Sequence, residues 1–448
     1  MTKLEEHPTV KQFREREASG HEPARLGTLD PAWLRQLCLE AGADDLGFVD
    51  LGRPEIADQR EDILAVFPPT KTLVSIVLRM NRENIRTPAR SIANLEFHHT
   101  TDEINDVGRR IVAALERAGV RALNGGAAGF PMEAERWGAK MWIISHKPIA
   151  VAAGLGHMGI HRNVIHPQFG NFILLGTVLL DAEVSSYSHP IDYNPCLECK
   201  LCVAACPTGA IGADGNFNFS ACYTHNYREF MGGFQDWVEQ IAESKNALEY
   251  RQKVSGTETV SMWQSLSFGA NYKAAYCMSV CPAGEEVIRP FLSQRKEFLE
   301  DVVKPLQNKL ETVYVVRGSD PEEYVARRFP HKKTKRVTNG LAAQSIRGFL
   351  RGLLLSFQRG RSAGLNATYH FTFTGAEELK ATVVIRNQTL AVSEGHTGVA
   401  DLRLQADGET WLRFLRKETN LVWALLRGNI RIHGSPRLLL AFGRCFPS

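Results

Sequence analysis

Four cysteines fall within eleven residues of NPCLECKLCVAACPTGAI (Asn194 to Ile211), spaced C-x2-C-x2-C-x3-C-P. Intervals of two residues let a short loop turn three thiols toward one centre, and Pro207 then turns the chain away. Three more cysteines follow, Cys222, Cys277 and Cys281, while Cys38 and Cys445 stand far off in sequence. A chain of 448 residues without an apolar secretion signal is a poor candidate for a disulfide framework, so the grouping reads as metal ligation. Structural zinc needs only two C-x2-C pairs at a distance, whereas an unbroken run of four before proline is the iron–sulfur pattern.

In the bacterial ferredoxin version of this run, three thiolates hold one 4Fe–4S cluster and the fourth reaches a second. On that pairing Cys196, Cys199 and Cys202 share a cluster completed by Cys281, from AAYCMSVCPAG. The second cluster is left with Cys206, Cys222 and Cys277, one thiolate short, because Ala274 occupies the position three before Cys277. Three readings follow: a 3Fe–4S or open-site 4Fe–4S cluster on three thiolates, a non-cysteine fourth ligand with His225 the nearest candidate, or a single cluster only.

The length allows two to four domains at roughly 100–200 residues each. With 44% hydrophobic and 23% charged residues the chain is of ordinary globular composition, and a net charge of +4 argues neither for nor against a nucleic-acid partner. The longest apolar runs, such as FILLGTVLL (Phe172 to Leu180), are strand-length, so the expectation is a soluble, cytoplasmic protein.

Residues 1–27 are polar and read as a flexible arm. Asp30 followed by Pro31 marks a helix start, leading through a glycine stop near Gly42 to a strand at LGFVDL. KTLVSIVLRM (Lys71 to Met80) and NFILLGTVLL read as buried strands, and IVAALERAGVRALN (Ile111 to Asn124) as an amphipathic helix running into a turn. The alternation predicts an α/β domain over 28–185 and a cysteine segment over 186–295, with WVEQIAESKNALEYRQKV as a polar helix inserted between the ligands. Residues 296–339 read as a basic linker, with Arg327, Arg328, Lys332, Lys333, Lys335 and Arg336 offering peripheral contact to an anionic membrane surface. Residues 340–448 alternate apolar and polar positions in ATYHFTFTG, ATVVIRNQTLAVSEG and ADLRLQAD between apolar helices, the last led by Ser435 and Pro436. The whole predicts a multidomain α+β protein.

AGLGHMGIHRNVIHPQFGNFILLGTVLL followed by the cysteine run resembles the family of epoxyqueuosine reductases and reductive dehalogenases, over about residues 28–295. The resemblance implies a cobalamin-reductase-like α/β domain, electron transfer from 4Fe–4S clusters to cobalamin, an electron donor such as a flavodoxin or ferredoxin, and a corrin approached closely at Gly154, Gly156, Gly159 and Gly170. The sequence departs from the family where an arginine or an acidic segment supplies its general acid, which leaves His157, His161 and His166 as candidate proton donors, the first two as the catalytic choice. From TYHFTFTG through GNIRIHGSPRLLLAFGRCF the chain resembles the sterol carrier protein type 2 domain, which implies a lipophilic small-molecule ligand. The expected activity is an iron–sulfur oxidoreductase acting through a corrinoid or directly on a lipophilic substrate. The alternative is an electron carrier with a lipid-binding or docking domain. A reductase of transfer-RNA bases is the least favoured reading, since the chain shows no broad basic surface with stacking aromatics.

Overall fold

The computed structural model describes residues 4–19, 27–126, 143–341 and 343–448. Parts of the expected arm (1–3 and 20–26) lie outside these residues; within the arm, Pro8–Ala18 is a helix. Asp30 caps the helix Pro31–Glu40 as expected, its Oδ1 accepting from the Trp33 N–H at 2.8 Å.

The N-terminal sheet has four antiparallel strands. Thr72–Arg79 pairs with Asp45–Asp50 on one side and Ile173–Leu180 on the other, and the latter carries the short strand Ala122–Asn124 at its edge. Both faces are covered, which explains why the strands read as apolar runs. Val74, Ile76 and Leu78 meet Ile104, Val107 and Ile111 of a long helix on one face. Leu73 and Val77 meet Ile149 of the helix His146–Ala152 on the other. The long helix runs over Arg90–Arg117, starting 21 residues before the expected one. Its first turns lack sheet-facing periodicity because they pack on the cysteine segment: Phe97 lies against Tyr272 (5.2 Å between ring centres), and Asn94 exchanges hydrogen bonds with the Tyr272 backbone.

The cysteines sit on short helices, Leu201–Ala205, Phe219–Asn226 and Tyr276–Ser279. The inserted polar run is two helices, Gly232–Ala242 and Ala247–Lys253, rather than one. Asn246 breaks it, because its side chain caps the second helix by accepting from the Leu248 and Glu249 N–H groups at 3.0 Å. Arg228 is buried beneath the insertion, paired to Asp236 (2.5 Å) and Glu258 (3.2 Å).

The expected linker is folded. Thr312–Val316 and Lys333–Val337 form a parallel pair joined by the helix Asp320–Arg328, with Val313, Val315 and Val325 buried between them. Three of its basic residues are paired: Lys332 with Glu311 at 2.7 Å, Lys335 with Glu258 at 2.5 Å and, at the surface, Arg336 with Glu322 at 2.5 Å. Composition suggested a solvated run because a charge paired in the fold looks the same in sequence as one facing water.

The C-terminal sheet has five strands. Ala367–Thr374 is central, parallel to Leu402–Asp407 and antiparallel to Leu379–Arg386, with Thr389–Glu394 and Ile430–Gly434 outermost. Asn387 and Gln388 turn the hairpin at positive φ. Helices Ile346–Ser356, Gly408–Leu415 and Pro436–Arg444 cover one face over Tyr369, Phe371 and Phe373. Ser435 precedes the last helix but makes no capping hydrogen bond. Among the described residues no helix is long and apolar enough to cross a membrane.

Candidate cluster-binding site

Cys196, Cys199, Cys202 and Cys281 wall a single small cavity, closed at one side by Ile160 and His161. These are the four thiols that ferredoxin pairing assigns to the first cluster, two of them separated by 79 residues of sequence (Cys202 to Cys281). The loop achieves this by alternating backbone hand: Glu198 (φ 48°) and Lys200 (φ 60°) flank Cys199 in the left-handed region, which turns successive N–H groups inward. The N–H groups of Leu201 and Cys199 point at the Cys199 sulfur, and that of Ala283 at the Cys281 sulfur.

Cys206, Cys222 and Cys277 form the second group. Burial and then the thiols of Cys277 and Cys206 push the Cys222 thiol far up; burial and then Cys206 push Cys277 up to about 11. In the first group, burial pushes Cys281 up to about 12. Buried thiols crowded in this way ionise only against positive charge, which iron supplies when bound. Among the described residues no three His, Cys, Asp or Glu side chains close on a single-ion site. The first four thiols stand around a space instead, as ligands to an inorganic core must. The donor set fits 4Fe–4S binding at the first group, with three thiolates offered at the second.

Sequence reasoning missed two neighbours of the second group. Lys147 extends from the sheet domain, its Nζ donating to the Arg162 carbonyl (2.8 Å) and Asn163 Oδ1 (2.9 Å), within the field of Cys277 and Cys222. Asn163 Nδ2 donates to the Cys277 sulfur at 3.9 Å. No ligand spacing announces either residue. His225, the expected non-cysteine ligand, turns away from the thiols: its Nδ1 accepts from the Tyr314 N–H at 3.3 Å, and its ring stacks on Tyr314. His225 lies on the helix Phe219–Asn226 and is held against the Thr312–Val316 strand, only 2% exposed.

The histidine cluster separates on folding. His161 reaches the first cavity, but burial, with Lys147 adding to it, lowers its pKa to about 4. It is therefore a neutral imidazole at pH 7. Its Nδ1 accepts from the Asn163 N–H at 3.1 Å, and Nε2 lies 3.3 Å from the Asn171 amide. His157 is half-buried, its Nδ1 3.3 Å from the Met158 carbonyl. His166 pairs with Asp45 at 3.0 Å and stacks on Phe169, a structural role.

The four glycines meet the chain itself. A Cβ on Gly154 (φ 75°) would lie 2.3 Å from the His189 carbonyl, on Gly156 (φ 149°) 2.3 Å from that of Ile165, and on Gly170 (φ 65°) 2.1 Å from that of Ala283. A Cβ on Gly159 would meet Ile165 Cδ1 and the His161 ring. Positive φ and a close carbonyl require glycine at Gly154, Gly156 and Gly170, whereas Gly159 has only side-chain neighbours.

A ferredoxin-type cysteine site joined to an α+β sheet domain on each side defines a multidomain iron–sulfur protein. Residues 189–212 match the model of the 4Fe-4S binding domain, and residues 354–447 match that of the SCP-2 sterol transfer family. The chain is similar to epoxyqueuosine reductases: 33% identical over 92 residues to that of Vibrio cholerae (20% of this chain, 24% of the relative) and 31% over 100 residues to that of Cellulophaga algicola (20% and 32%). The chain thus spans a third or less of the length of these curated relatives. Among solved structures, the epoxyqueuosine reductase of Streptococcus thermophilus aligns at 15% identity over 61% of this chain and 75% of that one, TM-score 0.34. The catabolic reductive dehalogenase NpRdhA aligns at 15% over 61% and 34%, TM-score 0.37. The resemblances seen in the sequence are those found, in the same order along the chain.

Proposed function

We propose that the protein is an oxidoreductase carrying one 4Fe–4S cluster on Cys196, Cys199, Cys202 and Cys281 and a second iron–sulfur cluster on Cys206, Cys222 and Cys277, delivering electrons to a small molecule. The observation that carries this reading is the convergence of the first four thiols on one cavity. Clusters bound there accept and release single electrons. The chain's own part is to hold the thiolates, to aim backbone N–H groups at the sulfurs and to keep water out with Ile160, His161 and Ala283.

The SCP-2-type domain supports a lipophilic substrate or a docking role. Its inner face is filled by Phe349, Phe371, Phe373, Trp411 and Phe442, so an acyl chain enters only by displacing rings, whereas Trp423 and Leu426 lie exposed on the helix Leu421–Leu426. Cobalamin use rests on the resemblance to reductive dehalogenases. A second reading, reduction of a modified base in transfer RNA, is favoured by the names of the curated relatives.

The test is anaerobic purification from cells supplied with cobalamin, followed by iron, sulfide and cobalt analysis with EPR. Seven or eight irons per chain without cobalt support the two-cluster reading. Four irons overturn the second cluster, and stoichiometric cobalt supports a bound corrinoid as the electron acceptor. Turnover of a modified transfer-RNA base by the reduced protein decides for the second reading.

A further inference from the structure

The insertion between Cys222 and Cys277 builds a cavity of about 1080 Å³, far larger than the space among the first four cysteines. One wall is the start of the long helix at Arg90, Asn94 and His98; the others come from the insertion and from the parallel strand pair. Seven Lys and Arg side chains line it against three Glu. The carboxylates are already matched within the fold. Glu229 pairs with Lys273, Glu258 with Arg228 and Lys335, and Glu311 with Lys332, while Glu311 also accepts from the Tyr276 hydroxyl at 2.6 Å. Arg251, Lys309 and Lys333 make no ion pair with any described residue.

The cavity wall also holds polar atoms without partners. Arg90 Nε, His98 Nε2 and His225 Nε2 are buried and make no hydrogen bond within the described chain, and His225 is only 2% exposed. Buried donors and acceptors are ordinarily satisfied, and orphans gathered on one cavity mark the place of an absent partner. Lys309 points the same way: burial, with Arg90, Lys273 and Lys332 nearby, holds its ammonium below the usual lysine value despite Glu311. Uncompensated cations beside unpaired donors call for an anion.

The site adjoins the second cysteine group through the chain. His225 is three residues from Cys222 on one helix, Lys273 is four residues before Cys277, and the Arg90 guanidinium lies over the Tyr276 ring at 5.5 Å. Phe268 and Tyr272 add aromatic surface. The volume is that of a site for a ligand of nucleotide size.

We propose that this cavity binds an oxyanion-bearing small molecule, anchored through its phosphate or carboxylate groups by Arg90, Arg251 and Lys309, beside the second cluster. Adjacency to a cluster rests on the function proposed above; anion binding does not.

The test uses inorganic pyrophosphate and citrate as probes on the holoprotein, by calorimetry at low and moderate salt. Saturable binding is expected, weakened by salt and at least tenfold by the double variant Lys309→Met/Arg251→Met with iron content unchanged. Lys380→Met, in the C-terminal sheet, leaves it unaltered. Tighter binding of pyrophosphate identifies a phosphate ligand, and tighter binding of citrate a carboxylate ligand. Absence of binding, or binding indifferent to the double variant, overturns the site. Saturation should also shift the EPR signal of one cluster; an unchanged spectrum in a protein that binds overturns the adjacency. A protein without iron overturns the proposed function while the calorimetric result still decides the anion site.

Discussion

In the C-terminal sheet, the side chains that hold the domain together come from its own alternating strands, whereas the cysteine segment draws its support from elsewhere. Tyr369, Phe371 and Phe373 project to one face and meet Phe349, Trp411 and Phe442 from three helices, a core of aromatic contacts complete in itself. The cysteine segment has short helices and buried thiols around a small cavity, with an apolar cluster that includes Tyr276, Phe291, Phe298 and Leu306. It leans on the sheet domain through Gly170 against Ala283, on the long helix through Asn94, and on the C-terminal domain through Gln358. Ligation of clusters would add to apolar burial in the cysteine segment and not in the C-terminal sheet, so the two should answer differently to the same kinds of change.

The largest expected effect is in the cluster region. Cys281→Ser should remove the first cluster, about four irons per chain on the cubane count, and make the segment protease-sensitive while the C-terminal domain stays folded; iron analysis with limited proteolysis checks this. Retained iron would break the ligand assignment. Next, Phe371→Ala should destabilise the C-terminal domain by about 3–5 kcal/mol and leave the iron content unchanged, as read by denaturant unfolding followed by absorbance of the clusters. Coupled loss of iron would show that the two regions do not unfold separately.

Gly170→Ala sharpens the contact between the sheet and cluster domains. Its φ of 65° alone makes a side chain unfavourable by about 1–3 kcal/mol, and the Ala283 carbonyl leaves no room for it. Cluster occupancy should fall with little change in C-terminal stability. Gln358→Ala should act more weakly. Gln358 Oε1 accepts from Asn218 Nδ2 and from the Asp320 N–H, both at 3.1 Å, and Asn218 caps the helix that bears Cys222. The loss should be about 1–3 kcal/mol, with faster release of iron from the second group on chelation.

The smallest effect concerns pH. Burial raises the Asp45 pKa, but hydrogen bonds from His166, Arg35 and the Leu46 N–H outweigh it and leave the pKa depressed. A depressed carboxylate contributes stability that is present above its unfolded pKa and lost as pH falls through the folded one. Asp45→Asn should therefore reduce stability at neutral pH and flatten its acid-side decline below about pH 4, as measured by thermal unfolding across pH.

The convergence of Cys196, Cys199, Cys202 and Cys281 on one cavity was legible because the spacing suits an inorganic core, and Cys281 was grouped with the others across 79 residues on pairing chemistry alone. The strands and helices of the C-terminal domain were legible because period-2 and period-3.6 burial leave a direct trace. The long helix was legible only from Ile111, where it faces the sheet; its first turns contact Tyr272 and leave no apolar stripe. The role of the glycines was not legible, because a glycine demanded by a neighbouring carbonyl is written the same way as one that admits a cofactor. Lys147 was invisible because its relation to Cys277 and Cys222 exists only across a domain boundary.

By itself, then, the sequence determined what is carried by local periodicity or by the stoichiometry of thiol ligands: a ferredoxin-type iron–sulfur segment between α+β domains, the last of them sterol-carrier-like. Tertiary structure decided where charges find partners and where space remains. It folded Lys333–Val337 into a parallel ladder with Thr312–Val316, held His225 against Tyr314 and opened a cavity lined by seven Lys and Arg side chains. Coulombic partnership and void volume depend on residues far apart in the chain, and no local pattern encodes them.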